Sequence, residues 1–401
     1  MELDDRSKVE AFSSSVTEAD HESYSRDERD LIRLGKKPAL KRTFGFMQIL
    51  GFSCTVLVTW EGILQVSTPS LLNGGPAGVF WGYILIWVGS ISIYTVLSEL
   101  SSMAPTAGGQ YHWVAMLAPA SYRKFLSYIT GWVTTIGWQA TAASSAYLAG
   151  TILQIHILGF FGILIPLVYL APHSDASIFT TFVNSGGWSS QGLSFMVGLP
   201  SSVFALVGVD SCVHMAEEVK DASRVVPRAI QVKSTETLGF AYLFVFLRGT
   251  GSAAGAATMA MTMWFLGVCC LVGLMAATSR QMWSFARDNA LPFSKHITKL
   301  HPRTLIPVNT IAITAAISVL LSFITLGSYV AFSNIVNLSI GGLHASYFIV
   351  SSLLLWRRLK GISPYNAHTA MVGPDTLQWG PWKVPGLLGV ANNLFAYWAK
   401  A

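Results

Sequence analysis

The chain has 401 residues, 52% of them hydrophobic and 11% charged, with a mean hydropathy of +0.49. An ordinary soluble domain carries about 25% charged residues, so the composition excludes a soluble globular protein and points to a polytopic membrane protein. The net charge is +6, but Lys and Arg fall in short clusters beside apolar runs, not on one basic face, which argues against a nucleic-acid partner.

Ten of the twenty Asp and Glu residues precede Arg42. This opening stretch is polar, with no early apolar core and no small-residue cleavage site, so residues 1–45 read as a disordered cytosolic tail and not as a secretory signal. A span needs about 20 mostly apolar residues, and the runs that qualify are 46–69, 79–100, 125–153, 193–216, 254–277, 306–326 and 329–356. Two further runs, 155–171 and 238–247, are short, and a last one, "VPGLLGVANNLFAYWA", leads into Ala401. The membrane core is expected over 46–356, with cytosolic loops near 101–124, 217–237 and 279–305. A cytosolic loop and the start of a helix are expected over 357–401. Cys54, Cys212, Cys269 and Cys270 all lie in apolar stretches without metal-ligand spacing and read as packing residues.

Loops rich in Lys and Arg stay cytosolic, so an even number of crossings must separate any two of them. Two spans separate the cluster at Arg33 to Arg42 from Arg123–Lys124, and two separate Arg280 to Arg303 from Arg357 to Lys360. Between Lys124 and Lys220, however, three apolar segments would leave the Lys220 loop on the wrong side. Between Lys233 and Arg280 there is one full span plus a stub of about ten residues, too short for about 30 Å of hydrocarbon at about 1.5 Å per residue. Either a crossing is missing from each interval, or 155–171 is re-entrant and the stub crosses with help from "KSTET" and "RGTGSAAGA". The second account takes Lys233 or Arg248 into the bilayer.

In the run 46–69, "TVLVTWEGILQ" puts Glu61 near mid-span; in 193–216, "FALVGVDSC" puts Gly208 and Asp210 in the inner half. An ionisable group at such depth costs about 2.5 to 3.5 kcal/mol even on lenient insertion scales. Two accounts fit. Both spans are interrupted helices, broken at Gly62 and Gly208, with polar groups facing a cavity; or the carboxylates bond to neighbouring helices and hold the bundle together. Trp60 beside Glu61 suits an ammonium group, or serves as packing. In "SELSSMAPTAGGQYHW", Pro105 and Gly108–Gly109 end a helix, and Tyr111, His112 and Trp113 begin an amphipathic surface segment. The stretch "SRQMWSFARDNALPFSKHITKLHPRTLIPVNT" reads as a solvated cytosolic connector. With no nucleophile–base pair, metal cluster or phosphate loop in view, an enzyme is not expected.

Three of these stretches, "ELSSMAPTAGGQYHW", "FALVGVDSCVHMAEEVKDASRVVPRAI" and "SRQMWSFARDNALPF…HPRTLIPVN", resemble in order three signatures of the amino acid–polyamine–organocation transporters. The N-terminal "DERDLIRLGKKPALKRTF" and the "TWEG" of the first span resemble the fungal amino acid/choline (4-aminobutyrate-like) permease branch. The resemblance runs from about Asp27 to the C-terminus and implies an all-α transmembrane bundle of the leucine-transporter type. That fold is an inverted repeat of two five-helix units followed by two more helices, of which about nine or ten of twelve are expected here. Its first and sixth helices are broken and meet at the substrate. Carried onto this chain, Thr59, Trp60, Glu61, Gly62, Phe204, Gly208, Val209 and Asp210 would bind substrate, and Glu217, Glu218, Arg224 and Arg228 would form a cytosolic gate or loop.

Many relatives have a glycine-rich triplet where this chain has Thr59-Trp60-Glu61, and Glu61 would repel a carboxylate and attract an amine. Against the family pattern the third helix joins the fifth near Gln154, the seventh is joined near Arg248 to the stretch before the eighth, and the eleventh begins near Pro385. The resemblance implies a secondary active permease of the plasma membrane, with its N-terminus in the cytosol and alternating access for an amino acid, 4-aminobutyrate or a choline-like amine. No cofactor is implied, and a proton is the expected coupling ion. The alternative expectation is a truncated, non-transporting membrane protein of the same family.

Overall fold

The computed structural model describes residues 25–57, 66, 68–170, 176–236, 253–326, 329–360 and 379–398. They form helices α1 (Arg26–Arg33), α2 (Phe46–Leu57), α3 (Thr68–Met103), α4 (Gln110–Leu117), α5 (Arg123–Leu170), α6 (Gln191–Ala205), α7 (Ser211–His214), α8 (Ala222–Glu236), α9 (Ala253–Arg287), α10 (Ser294–Ile297), α11 (Val308–Leu326), α12 (Tyr329–Leu359) and α13 (Gly386–Trp398). Among the described residues the only β-type pairing is an isolated bridge between Phe44 and Val219. The fold is an all-α bundle.

Its radial pattern is that of a protein dissolved in lipid. Leu71, Leu72 and Leu85 on α3, Phe265 and Val272 on α9, and Leu320 and Phe323 on α11 face outward, while Ser98, Thr134, Thr141, Ser144, Thr278 and Gln281 are buried. With lipid outside, apolar burial drives helices together weakly, and interhelical hydrogen bonds and close backbone approach take over. Gln139 donates to Thr314 at 3.1 Å, Gln281 donates to Thr135 at 3.1 Å, and the Thr141 and Ser339 hydroxyls bond across α5 and α12. Small residues permit the contact. A Cβ on Gly137 would come within 2.9 Å of the Leu343 backbone nitrogen, and one on Gly342 within 2.9 Å of the Val133 carbonyl. Helices Pro69–Met103, Trp264–Arg287 and Phe332–Leu359 are long and apolar enough to cross a membrane, and Phe46–Leu57 and Val308–Ile324 are shorter apolar helices.

Two elements depart from the sequence-based expectation. A disordered tail was expected over 1–45, yet its described part, residues 25–45, contains helix α1. Ser25 and Glu28 make a capping box at the start of α1, and Leu31 and Ile32 bury one side of that helix against the bundle, so a charged composition hides a short amphipathic helix. The run 125–153 and residues 155–170 of the next run are one continuous helix, α5, of 48 residues. At about 1.5 Å per residue it extends about 72 Å, more than twice the hydrocarbon thickness of about 30 Å. No turn separates the two runs at Gln154, where the third and fifth family helices were expected to join.

Candidate functional site

Helix α6 stops at Ala205, residues 206–210 are turns, and the helix direction resumes only in the four residues of α7. Gly208 sets the break: its φ of +102° lies in the region that glycine adopts without strain. The interruption opens onto a pocket shared by four helices. Val56 and Leu57 close it from the end of α2, Thr141 and Ser145 from α5, Phe204 and Val207 from the α6 break, and Cys270 and Leu274 from α9. The wall is apolar apart from the Thr141 and Ser145 hydroxyls. Such a surface, with a few convergent polar groups, suits a small organic solute.

Of the residues expected to bind substrate, Phe204 is on this wall, and Gly208 packs beside Val56 and Trp138. Val209 is fully buried in the core. Asp210 is fully buried below the pocket, where its oxygens accept from Gln110 Nε2 and from the Tyr347 hydroxyl, each at 2.5 Å. Thr59, Trp60, Glu61 and Gly62 lie outside the described residues; in the sequence they begin two positions after Leu57, which is on the pocket wall.

A second assembly of polar groups closes the end of the bundle below the break. Arg287 holds Glu217 through two contacts, Nη1 to Oε2 at 2.8 Å and Nη2 to Oε1 at 2.6 Å, and the Ala107 N–H adds a third at 3.2 Å. Arg280 Nε reaches Glu218 Oε1 at 2.7 Å. Lys36 pairs with Asp288, whose second oxygen accepts from the Tyr111 hydroxyl at 2.9 Å.

Burial alone would raise the Glu217 carboxyl, but the Arg287 guanidinium, with the Ala107 N–H and Lys36, holds it below the ordinary value. Asp288 is likewise lowered against its burial by Lys36 and Arg287. Burial lowers Lys36, and Asp288 opposes that shift. Burial, then the Lys36 charge, push His112 down to about 3, so it is neutral beside these four ions. Among the described residues Arg224 pairs with neighbouring Asp221, at 3.9 Å on the surface, and Arg228 is exposed. The structure therefore brings Glu217 and Glu218 into the closure and leaves both arginines out of it.

The partners of these two glutamates come from the stretch read as a solvated connector. Its first nine residues, 279–287, are instead the end of α9, and Arg280 and Asp288 are buried. The seven-residue spacing of Arg280 and Arg287 is two helical turns and puts both on one face, a signal the sequence did carry. The N-terminal segment contributes a strap. The Asp27 carboxylate accepts from the Asp221 and Ala222 amides at 2.7 and 3.0 Å, capping α8, and Arg42 donates to the Val219 carbonyl at 2.5 Å. Thr43 and Phe44 donate to the Glu218 carbonyl, and Lys220 donates back to Phe44 at 2.9 Å. On the other flank Arg358 pairs with fully buried Glu99, which also accepts from the Val384 N–H at 2.8 Å. Among the described residues no group of three or more His, Cys, Asp or Glu side chains is placed to hold a metal ion.

Comparison with known proteins follows the same geography. The profile of a family described as amino acid permease matches residues 44–160, 148–245 and 231–399. The three stretches meet at 148–160, around Gln154, and at 231–245, just before Arg248. A Macrophomina phaseolina protein named as an amino acid/polyamine transporter is 26% identical over 410 residues, covering 83% of this chain and 89% of that protein. The choline transporter of Saccharomyces cerevisiae is 27% identical over 396 residues, covering 80% of this chain and 70% of its own. An uncharacterized amino-acid permease of Schizosaccharomyces pombe is 25% identical over 456 residues, covering 93% and 83%. That last alignment is longer than the 401 residues of this chain, so the relative carries residues within the aligned span that have no counterpart here.

Proposed function

Because this chain belongs to the amino acid permease family, a family of multi-pass membrane transporters and not of enzymes, we propose that it binds an amino acid or a choline-like amine in the pocket at the α6 break. Alternating access would open that pocket to the two sides of the plasma membrane in turn, with the N-terminus in the cytosol and a proton gradient as the driving force. The observation that carries the reading is the helix interruption at Gly208, opening onto a pocket that α2, α5 and α9 share. An unwound segment at mid-membrane is tolerated where it lines a cavity, and its free backbone groups are then available to a solute.

Glu61 favours an amine-bearing solute. It follows the pocket-lining Leu57 by four residues, and a carboxylate in a low-dielectric site repels an anion and attracts an ammonium. The names of the relatives, one a choline transporter and one an amino acid/polyamine transporter, support the same class.

Uptake of radiolabelled choline and amino acids into vesicles carrying the chain tests the reading, with Glu61→Gln in parallel. The expected outcome is saturable uptake that Glu61→Gln abolishes or shifts while surface expression is retained; unchanged kinetics in the variant would remove Glu61 from the site.

A second reading is favoured by α5 and the long alignments. A helix of about 72 Å, in a chain whose relative carries additional residues within the aligned span, suggests a permease core without its full set of crossings, one that binds solute but does not complete the cycle. It predicts solute binding without uptake.

A further inference from the structure

We propose that Asp210 and His214 together form a proton-binding site, one exchangeable proton held between them at the inner end of the interrupted helix. The inference rests on the transporter reading above and names the residues that carry its coupling ion.

The argument begins with the tautomer of His214. Its Nδ1 lies 2.9 Å from the Ala107 carbonyl oxygen. A carbonyl only accepts, so Nδ1 carries the hydrogen. In the neutral ring Nε2 is then a bare lone pair, and it faces the Asp210 Oδ2 atom at 3.5 Å. That nitrogen is buried and without a hydrogen-bond partner, and both side chains are fully buried. Two acceptors thus confront each other in a site closed to water. Asp210 already accepts from Gln110 of α4 on Oδ2 and from Tyr347 of α12 on Oδ1, so neither donor can be spared to resolve the clash. A single added proton does so: Nε2 becomes a donor, the contact becomes a charge-assisted hydrogen bond, and the pair passes from a net negative charge to none.

Among the described residues Tyr347 of α12 donates to Asp210, Tyr94 of α3 lies within reach of the Asp210 charge, and Cys212 of α7 lies within reach of Tyr347. Trp138 of α5 stands edge-on against the imidazole with centroids 5.3 Å apart, and the Gly109 backbone covers the ring, since a Cβ there would be 3.1 Å from Cε1. The imidazole is therefore fixed in place, and what can change is its charge.

Placement gives the proton a consequence. Val207, on the pocket wall, is three residues from Asp210. Through the two residues of the pair, the inner half of the broken helix is fastened to Ala107, Gln110 and Tyr347. With the proton bound, these ties are satisfied and the break is docked; with the proton lost, a buried carboxylate faces a lone pair, and separation of α7 from α4 relieves the repulsion.

The test is the charge state of His214 in the full chain in lipid nanodiscs, read by 15N-histidine NMR across a window of falling pH. The His214 signal is assigned by its loss in His214→Gln. In the wild type it is expected to pass from the Nδ1–H neutral form to imidazolium with uptake of about one proton. In Asp210→Asn, which keeps the shape of the side chain, it is expected to stay neutral. A His214 that keeps one charge state across the window, neutral or charged, overturns the proposal, as does the same titration in Asp210→Asn as in the wild type. Absence of solute uptake would count against the transporter reading and leave this titration unchanged. A flat titration beside intact uptake removes the pair alone.

Discussion

The carboxylates of this chain are managed in two ways. Glu217, Glu218 and Asp288, at the end of the bundle, each meet a full cation, from Arg287, Arg280 and Lys36. Asp210, seven residues before Glu217, meets an amide, a phenol and one imidazole. The difference follows from solvation. A closure that must form and part needs ions that water can stabilise once they separate, and the end of a bundle supplies that water. An interior site has none, so a permanent cation there would only add a second charge to desolvate.

Breaking the closure should therefore cost most. Arg287→Ala leaves Glu217 buried without its guanidinium, and the expected loss is about 3 to 5 kcal/mol of resistance to unfolding, measured in nanodiscs. Adding Glu217→Gln to that variant should recover much of it, because the stranded charge is then gone. Arg228→Ala, on the exposed face of α8, should stay within about 0.5 kcal/mol and serves as the control.

A smaller effect separates the two regions by pH. The Glu217 and Asp288 carboxyls are lowered in the folded chain, so their contribution is present above the ordinary values of 4.5 and 3.8 and is lost as pH falls through and below them. Resistance to unfolding should lose this contribution only below about pH 4. Arg287→Ala should remove the Glu217 share of that acid limb and leave the share of Asp288 that Lys36 holds. A pH dependence that persists in Arg287→Ala and vanishes in His214→Gln belongs instead to the interior pair.

The sequence made some of this legible and left the rest hidden for a definite reason. Apolar runs of span length, the glycine at 208 inside one of them, and the adjacent acids at 217 and 218 are local patterns, and the bundle, the break and the acidic half of the closure follow from them. Lys36 and Asp288 are 252 positions apart, and Asp27 and Ala222 are 195 apart. Nothing local marks such pairs, which is why the segment from Ser25 to Phe44 read as a tail and the end of α9 as a connector. The uneven crossings between Lys124 and Lys220 are a middle case: counting charges locates the anomaly, and only the continuous α5 gives it a shape.

The pocket at the α6 break is the centre of the account, and the most direct measurement is the rate at which a membrane-permeant thiol reagent labels Ser145→Cys, in a background lacking the four native cysteines, with and without solute. Ser145 is on the pocket wall, and the measurement needs binding alone, not a completed transport cycle. The account predicts that an amino acid or choline slows the labelling in a saturable way. Labelling at the same rate across the whole panel of amines and amino acids would contradict it.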